Sequence, residues 1–496
     1  MMYQSTRDAS HKKYSAAEVI KMGLAPDGGL FIPEIIPALT AEDISALCND
    51  SYPVRAAKIL GKFLSDYTYE ELLSDCTAAY AETSFPGGAA PLVHLHDNVY
   101  SLELWHGPTA AFKDMALQIM PRLLSRALVK TGETRNALIL VATSGDTGKA
   151  ALEGYKDIDR IKIMVFYPVD GVSRVQKLQM ATQTGNNVNV CAIRGNFDDA
   201  QTGVKKIFGD ENMANALNER GYILSSANSI NWGRLAPQIV YYVSAYCDLL
   251  AEGKIKMGDP MDVCVPTGNF GNIFAAYIAK LMGLPIRHFV CASNQNNILT
   301  DFLRTGTYDR NRAFHLTMSP SMDILISSNL ERLLCLSAGE ERTSAYMESL
   351  KNEGAYTVDN DVKAAIAQNF SGYFADERTT AETIRTYFDT HHYLADTHTA
   401  VALSCAEQYI ADRNDRSVPM VVASTASPYK FAADVFTSLS GGAVLPRDPL
   451  AALDQLVEAT GTEIPYPLRG LGERQVNFTQ TIDSADMPVA VLDYCK

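Results

Sequence analysis

Short, continuous apolar runs alternate with helix-period segments over most of the chain. ALILVAT (137–143), IKIMVFYP (161–168), VNVCAIRG (188–195), MDVCVPT (261–267), IRHFVCAS (286–293) and VPMVVAST (418–425) are brief and largely uninterrupted by charge. Runs of that kind, separated by helices, predict strands of parallel sheets covered on both faces. The first 92 residues read differently: AAEVIKMGL, AEDISALCND, PVRAAKILGKFL and YEELLSDCTAAY carry helical spacing, and SFPGGAAPLVHLHDN closes the segment with Pro and Gly breaks. The pattern predicts an α/β protein with a helical N-terminal domain (1–92) and a small α/β domain (131–239). A larger α/β domain is built from 93–130 and 240–496, with a helical insertion at about 300–395. In such folds ligands sit beyond the carboxyl ends of the strands.

Totals narrow the function classes. A chain of 496 residues exceeds a single core, and a net charge of -14 argues against nucleic acid or an anionic membrane as partner. No apolar run reaches the roughly 18 residues of a membrane span, and MMYQSTRDASHKKYS lacks the apolar core of a signal peptide. Nine cysteines without C-x-x-C pairing or zinc-finger partners lead to the expectation of reduced thiols, a cytoplasmic setting and no metal site. Monomer and homodimer both remain open.

Candidate chemistry gathers at the strand ends. In LELWHGPTAAFKDMALQ (102–118), Lys113 falls near the start of an expected helix capped by Thr109. A helix N-terminus disfavours a cation, so Lys113 is either a tolerated surface residue or a reactive amine. SGDTG (144–148) and GNFGN (268–272) each follow a strand and open a helix, an arrangement that presents amides to an anion. Either loop alone is equally well a tight turn, and neither fits a Walker A or a full G-x-G-x-x-G pattern. SSANSINWGRLAPQ offers Asn228, Ser229, Asn231 and Arg234 to an oxyanion, or is an ordinary polar loop. In RGNFDDAQ, Asp198 and Asp199 are expected to cap a helix, with Asn196 a ligand candidate. HHYLADTHTA (391–400) reads as a packed helix end, its histidines lacking a supporting carboxylate pattern.

Taken together, HGPTAAFKD, SGDTG, NSINW, PTGNFGN and STASPYKF resemble the threonine synthases, fold-type II pyridoxal phosphate enzymes related in fold to the tryptophan synthase β chain. TRDASHKKYSAAEVIKMGLAPDGGLFIP and LTMSPSMDIL resemble segments of the long form of that family, so the likeness spans nearly the whole chain. The resemblance implies pyridoxal 5'-phosphate as cofactor, bonded through its aldehyde to Lys113. It implies that Gly268, Asn269, Phe270, Gly271 and Asn272 hold the cofactor phosphate. Thr425 would meet the pyridine nitrogen and Asp146 the phenolic oxygen. Ser144, Thr147, Asn196, Asn228, Ser229, Asn231 and Arg234 would surround the substrate, O-phospho-L-homoserine. Ser427 and Tyr429 stand where the family often has His and Ala, and Lys149 where a small residue is frequent. The implied reaction gives L-threonine and phosphate. A threonine dehydratase, a β-replacement synthase and a non-catalytic phosphate-ligand binder are the rival readings. A nucleotide-binding enzyme would explain the glycine loops but leave Lys113 and Thr425 idle.

Overall fold

The computed structural model describes residues 1–143, 145–170, 172–442 and 448–496. Eleven strands form its two main sheets: β1 (Leu92–His96), β2 (Val99–Glu103), β3 (Asn136–Ala142), β4 (Ile161–Pro168), β5 (Val188–Arg194), β6 (Tyr222–Ser225), β7 (Met261–Pro266), β8 (Ile286–Ser293), β9 (Phe370–Phe374), β10 (Met420–Ser424) and β11 (Thr481–Asp483). The larger sheet runs β9-β8-β7-β10-β2-β1 and the smaller β11-β5-β4-β3-β6. All pairings are parallel except the β1–β2 hairpin.

The apolar runs form strands because each has a packed layer on both sides. In β7, Val263 and Val265 join one hydrophobic cluster while Cys264 joins another; in β3, Ala137 and Ile139 face one cluster and Leu138 and Leu140 a third. Burying a side chain of this size contributes about 1.5–3 kcal/mol, which offsets the entropy of ordering each strand. The N-terminal helices Ala16–Met22, Ala41–Leu47, Tyr52–Phe63 and Tyr69–Ala79 pack beside the sheets. Trp232, fully buried, takes Tyr3 and Phe63 against its ring at 5.5 and 5.7 Å.

The structure departs from the sequence pattern in three places. Lys113 precedes its helix, which is a single turn, Asp114–Leu117, followed after a break by Met120–Lys130. Thr109 does not cap it. Instead the Thr109 amide and hydroxyl both donate to the Asp114 carboxylate, at 2.8 and 2.7 Å. The stretch expected as a helical insertion contributes β9 to the large sheet, and β11, expected in the tail of the larger domain, pairs with β5 in the smaller sheet.

Candidate active site

Strands β2, β10 and β7 are adjacent and parallel, so the segments leaving their carboxyl ends share one edge of the sheet. The chain leaving β2 reaches Lys113, that leaving β10 reaches Thr425, and that leaving β7 enters the Gly268–Asn272 loop. The first two are bonded directly: the Phe112 amide donates to the Thr425 carbonyl (2.8 Å) and the Ser427 amide to the Ala110 carbonyl (3.1 Å). Ala110, at φ 58°, makes the left-handed turn that swings Lys113 into the site.

The Lys113 side chain is 13% exposed, with Nζ 3.8 Å from Asp146 Oδ2 and donating to Ser321 Oγ at 3.4 Å. Burial lowers its pKa; Asp146 opposes that shift, and the nearby Lys430 and Arg234 charges add to it. The amine is thereby made easier to deprotonate. Asp146 opens the helix Asp146–Tyr155, where a negative charge suits the helix dipole. Its other oxygen meets Lys430 Nζ at 2.8 Å and receives Gln176 Nε2 at 2.9 Å. Burial disfavours the Asp146 carboxylate, but Lys430 and Lys113 outweigh it and hold the group well below the usual range. One carboxylate thus lies between two lysines.

At the end of β7, Gly268 has no room for a side chain: a Cβ there would lie 2.5 Å from the Ser321 carbonyl oxygen. Phe270 adopts a left-handed conformation (φ 60°, ψ 0°), and the helix Gly271–Leu281 starts without a side-chain cap. Asn272 Oδ1 receives the Tyr241 hydroxyl at 2.8 Å and that of Tyr242, while its buried Nδ2 has no hydrogen-bond partner among the described residues.

The predicted substrate ligands divide. Thr147 is half-buried at the start of the Asp146–Tyr155 helix, and Ser144 lies outside the described residues. Arg234, 3% exposed, donates Nη1 to the Ala227 carbonyl at 2.6 Å and leaves Nε without a partner among the described residues. Burial pulls it down to about 10, so it remains a cation at neutral pH. Asn231 is not placed as a ligand. Fully buried, it caps the helix Trp232–Ala251 through Gly233 N (2.9 Å) and donates to the Ile20 carbonyl (3.0 Å). Asn196 is the cap of Phe197–Gly209 in a reciprocal box with Asp199, the part expected of Asp198 and Asp199. Asn228 spends its carbonyl on Ser229 Oγ and Ile230 N, both at 3.3 Å, which closes a local turn.

Four side chains that the sequence did not single out join the cluster: Lys430, Gln176, Ser321 and His398. His398 does have a carboxylate partner, Asp396, at 2.9 Å. Its Nε2 receives the Ser321 amide at 3.1 Å. Because that amide can only donate, Nε2 is unprotonated and Nδ1 carries the proton to Asp396. The motif A-D-T-H at a helix start was the available signal. Lys149 is absorbed structurally, buried and paired with Glu153 at 2.8 Å.

The family profile described as "Threonine synthase N terminus" matches residues 2–80, "Pyridoxal-phosphate dependent enzyme" residues 84–423 and "Threonine synthase, C-terminal" residues 399–481. Threonine synthase of Pseudomonas aeruginosa is 38% identical over 437 residues, covering 87% of this chain and 89% of that protein. The chain belongs to the threonine synthase family. The structure of pyridoxal-phosphate-bound threonine synthase from Brucella melitensis superposes with a TM-score of 0.87 at 36% identity, covering all of both chains. Human threonine synthase-like 1 is 42% identical over 85% of this chain, and the chain spans 58% of that relative's length.

The cofactor of the family, pyridoxal 5'-phosphate, fits the residues present. An uncapped helix start behind a glycine that tolerates no Cβ, with a buried amide donor lacking an acceptor, is suited to a phosphate. Lys113, buried and easier to deprotonate than a free lysine, is an amine of the kind an aldehyde needs. Among the described residues no helix is long and apolar enough to cross a membrane, and no cluster of three or more His, Cys, Asp or Glu could hold a metal ion.

Proposed function

We propose that this chain converts O-phospho-L-homoserine and water to L-threonine and phosphate. The observation that carries the reading is Lys113: a buried amine sharing Asp146 with a second lysine, at the sheet edge where the family's cofactor loop and Thr425 also arrive. When bound, pyridoxal 5'-phosphate supplies an electron sink for carbanions next to the substrate nitrogen. Lys113 removes the substrate Cα proton and returns protons along the carbon chain, a task for an amine that is not held as a cation. Gly268 to Asn272 would hold the cofactor phosphate. The Thr425 hydroxyl would serve the pyridine nitrogen, a neutral partner that would leave it largely unprotonated, and Asp146 would serve the phenolic oxygen. Arg234, with Ser144 and Thr147, receives the phosphate that departs from Cγ, which gives the unpartnered Arg234 Nε an acceptor. Ser321 and the His398–Asp396 pair hold the wall beside Lys113.

The test is product analysis with O-phospho-L-homoserine. Equal yields of threonine and phosphate, abolished by Lys113→Ala, are expected. Release of ammonia and a 2-oxo acid instead would assign the chain to the dehydratase reading. Phosphohomoserine left unchanged by protein carrying the cofactor would reject the synthase reading.

A further inference from the structure

Behind the Gly268–Asn272 loop lies a charge that the site chemistry leaves unexplained. Arg332 is fully buried, yet no carboxylate lies within 4 Å of it among the described residues. Its neighbour Glu331 is taken by Arg7 (Nη2 2.7 Å, Nε 2.8 Å) and Thr6 (2.5 Å), both from the N-terminal segment. The guanidinium instead reaches three separate parts of the chain. Nε donates to the Phe31 carbonyl at 2.8 Å, Nη2 to the Ile230 carbonyl at 2.6 Å, and Nη1 to Asn329 Oδ1. Its plane approaches the Trp232 ring, 5.8 Å from the centroid.

Asn329 passes this restraint to the loop. Its amide and Nδ2 both donate to the Asn269 carbonyl, at 3.0 and 2.8 Å, while Ser327 Oγ holds the Gly268 carbonyl at 2.6 Å. In a trans peptide the carbonyl and the following N–H point in opposite directions. Fixing the Gly268 and Asn269 carbonyls toward 327–329 therefore turns the Asn269 and Phe270 amides the other way, away from 327–329. The same clamp holds Phe270 in its left-handed conformation, which a non-glycine residue keeps only when its surroundings require it.

The geometry points to Arg332 as a positioning residue for the cofactor phosphate, locking Asn329 and hence the loop amides in place and leaving one unmatched positive charge behind the loop. This rests on the assignment of pyridoxal 5'-phosphate to that loop. It also gives the N-terminal segment a task, because Phe31, Arg7 and Thr6 hold the two ends of the Glu331–Arg332 pair.

The test compares pyridoxal 5'-phosphate with pyridoxal, which has the aldehyde and ring but no phosphate. After cofactor removal, each is titrated into parent protein, Arg332→Met and Arg332→Lys, and binding is read by absorbance. Arg332→Met is expected to weaken pyridoxal 5'-phosphate at least about tenfold while changing pyridoxal by less than about threefold, with Arg332→Lys in between. Should Arg332→Met fail to fold, Asn329→Ala removes the clamp with the charge retained and is expected to show the same selective loss. Equal losses for both ligands, or none for either, would overturn the proposal. Parent protein that takes up neither ligand would instead contradict the cofactor assignment itself.

Discussion

Replacing Lys430 by methionine probes the arrangement on which the site depends. The Lys430 side chain is fully buried, Asp146 is 5% exposed, and their ion pair is 2.8 Å long. Removing one partner of a buried pair typically costs about 3–5 kcal/mol, because the other charge remains desolvated. Here the lower end is expected, since Lys113 at 3.8 Å and Gln176 at 2.9 Å still face Asp146. The Thr109 carbonyl, bonded to Lys430 at 3.0 Å, loses its donor as well. A second effect falls on Lys113. With Lys430 gone, Asp146 acts on Lys113 alone and a repelling cation has disappeared, so Lys113 becomes harder to deprotonate. Its condensation with the cofactor aldehyde should then need a higher pH. Urea denaturation gives the first quantity, and the pH dependence of absorbance growth on adding pyridoxal 5'-phosphate gives the second. A double variant with Asp146→Asn should lose less than the sum of the two single variants, because both charges leave together. The reasoning is refuted if Lys430→Met unfolds within about 0.5 kcal/mol of the parent, or if the pH dependence stays put or moves down.

Gly268→Ala would push a methyl to 2.5 Å from the Ser321 carbonyl oxygen. Overpacking of about 1–3 kcal/mol corresponds to roughly 5- to 150-fold weaker cofactor binding, measurable by equilibrium dialysis. Asn231→Ala should cost about 2 kcal/mol of stability by removing a helix cap and the bond to Ile20, while a substrate KM near that of the parent would confirm that it is no ligand. His288, buried and bonded to Ser371 at 2.8 Å, is pulled down to about 4 by burial, so the fold holds it neutral. The unfolded chain takes up a proton below about 6.5 that the fold refuses. Stability should therefore fall by about 3 kcal/mol between pH 6.5 and 4, and His288→Asn should flatten that part of the denaturation profile.

The parallel strands were legible because both faces of each are covered, which leaves continuous apolar runs in β3, β4, β5, β7, β8 and β10. Strand β2 was not: Ser101 and Glu103 break its run, and both are buried only because Tyr393 and His106 answer them at 2.8 and 2.7 Å. Strand β9 hides in F-S-G-Y-F, where Gly372 is needed because a Cβ would lie 2.6 Å from Thr300 Cα in the helix packed on it. Motifs drew attention to Lys113, Asp146 and the Gly268 loop, since local spacing carries them, and the structure places Lys113 beside Asp146. Lys430 and Arg332 escaped notice because their roles depend on partners distant in sequence. Asn231 and Asn196 were not recognised as helix caps because a capping asparagine and a ligand asparagine have the same composition around them. Only the bonds to Gly233 and Asp199 tell them apart.

The most direct measurement is borohydride reduction of the protein carrying its cofactor, followed by peptide mapping. The account predicts a phosphopyridoxyl group on Lys113 and none on Lys430, the other lysine bonded to Asp146. Label on Lys430, on any other lysine, or on none would contradict it.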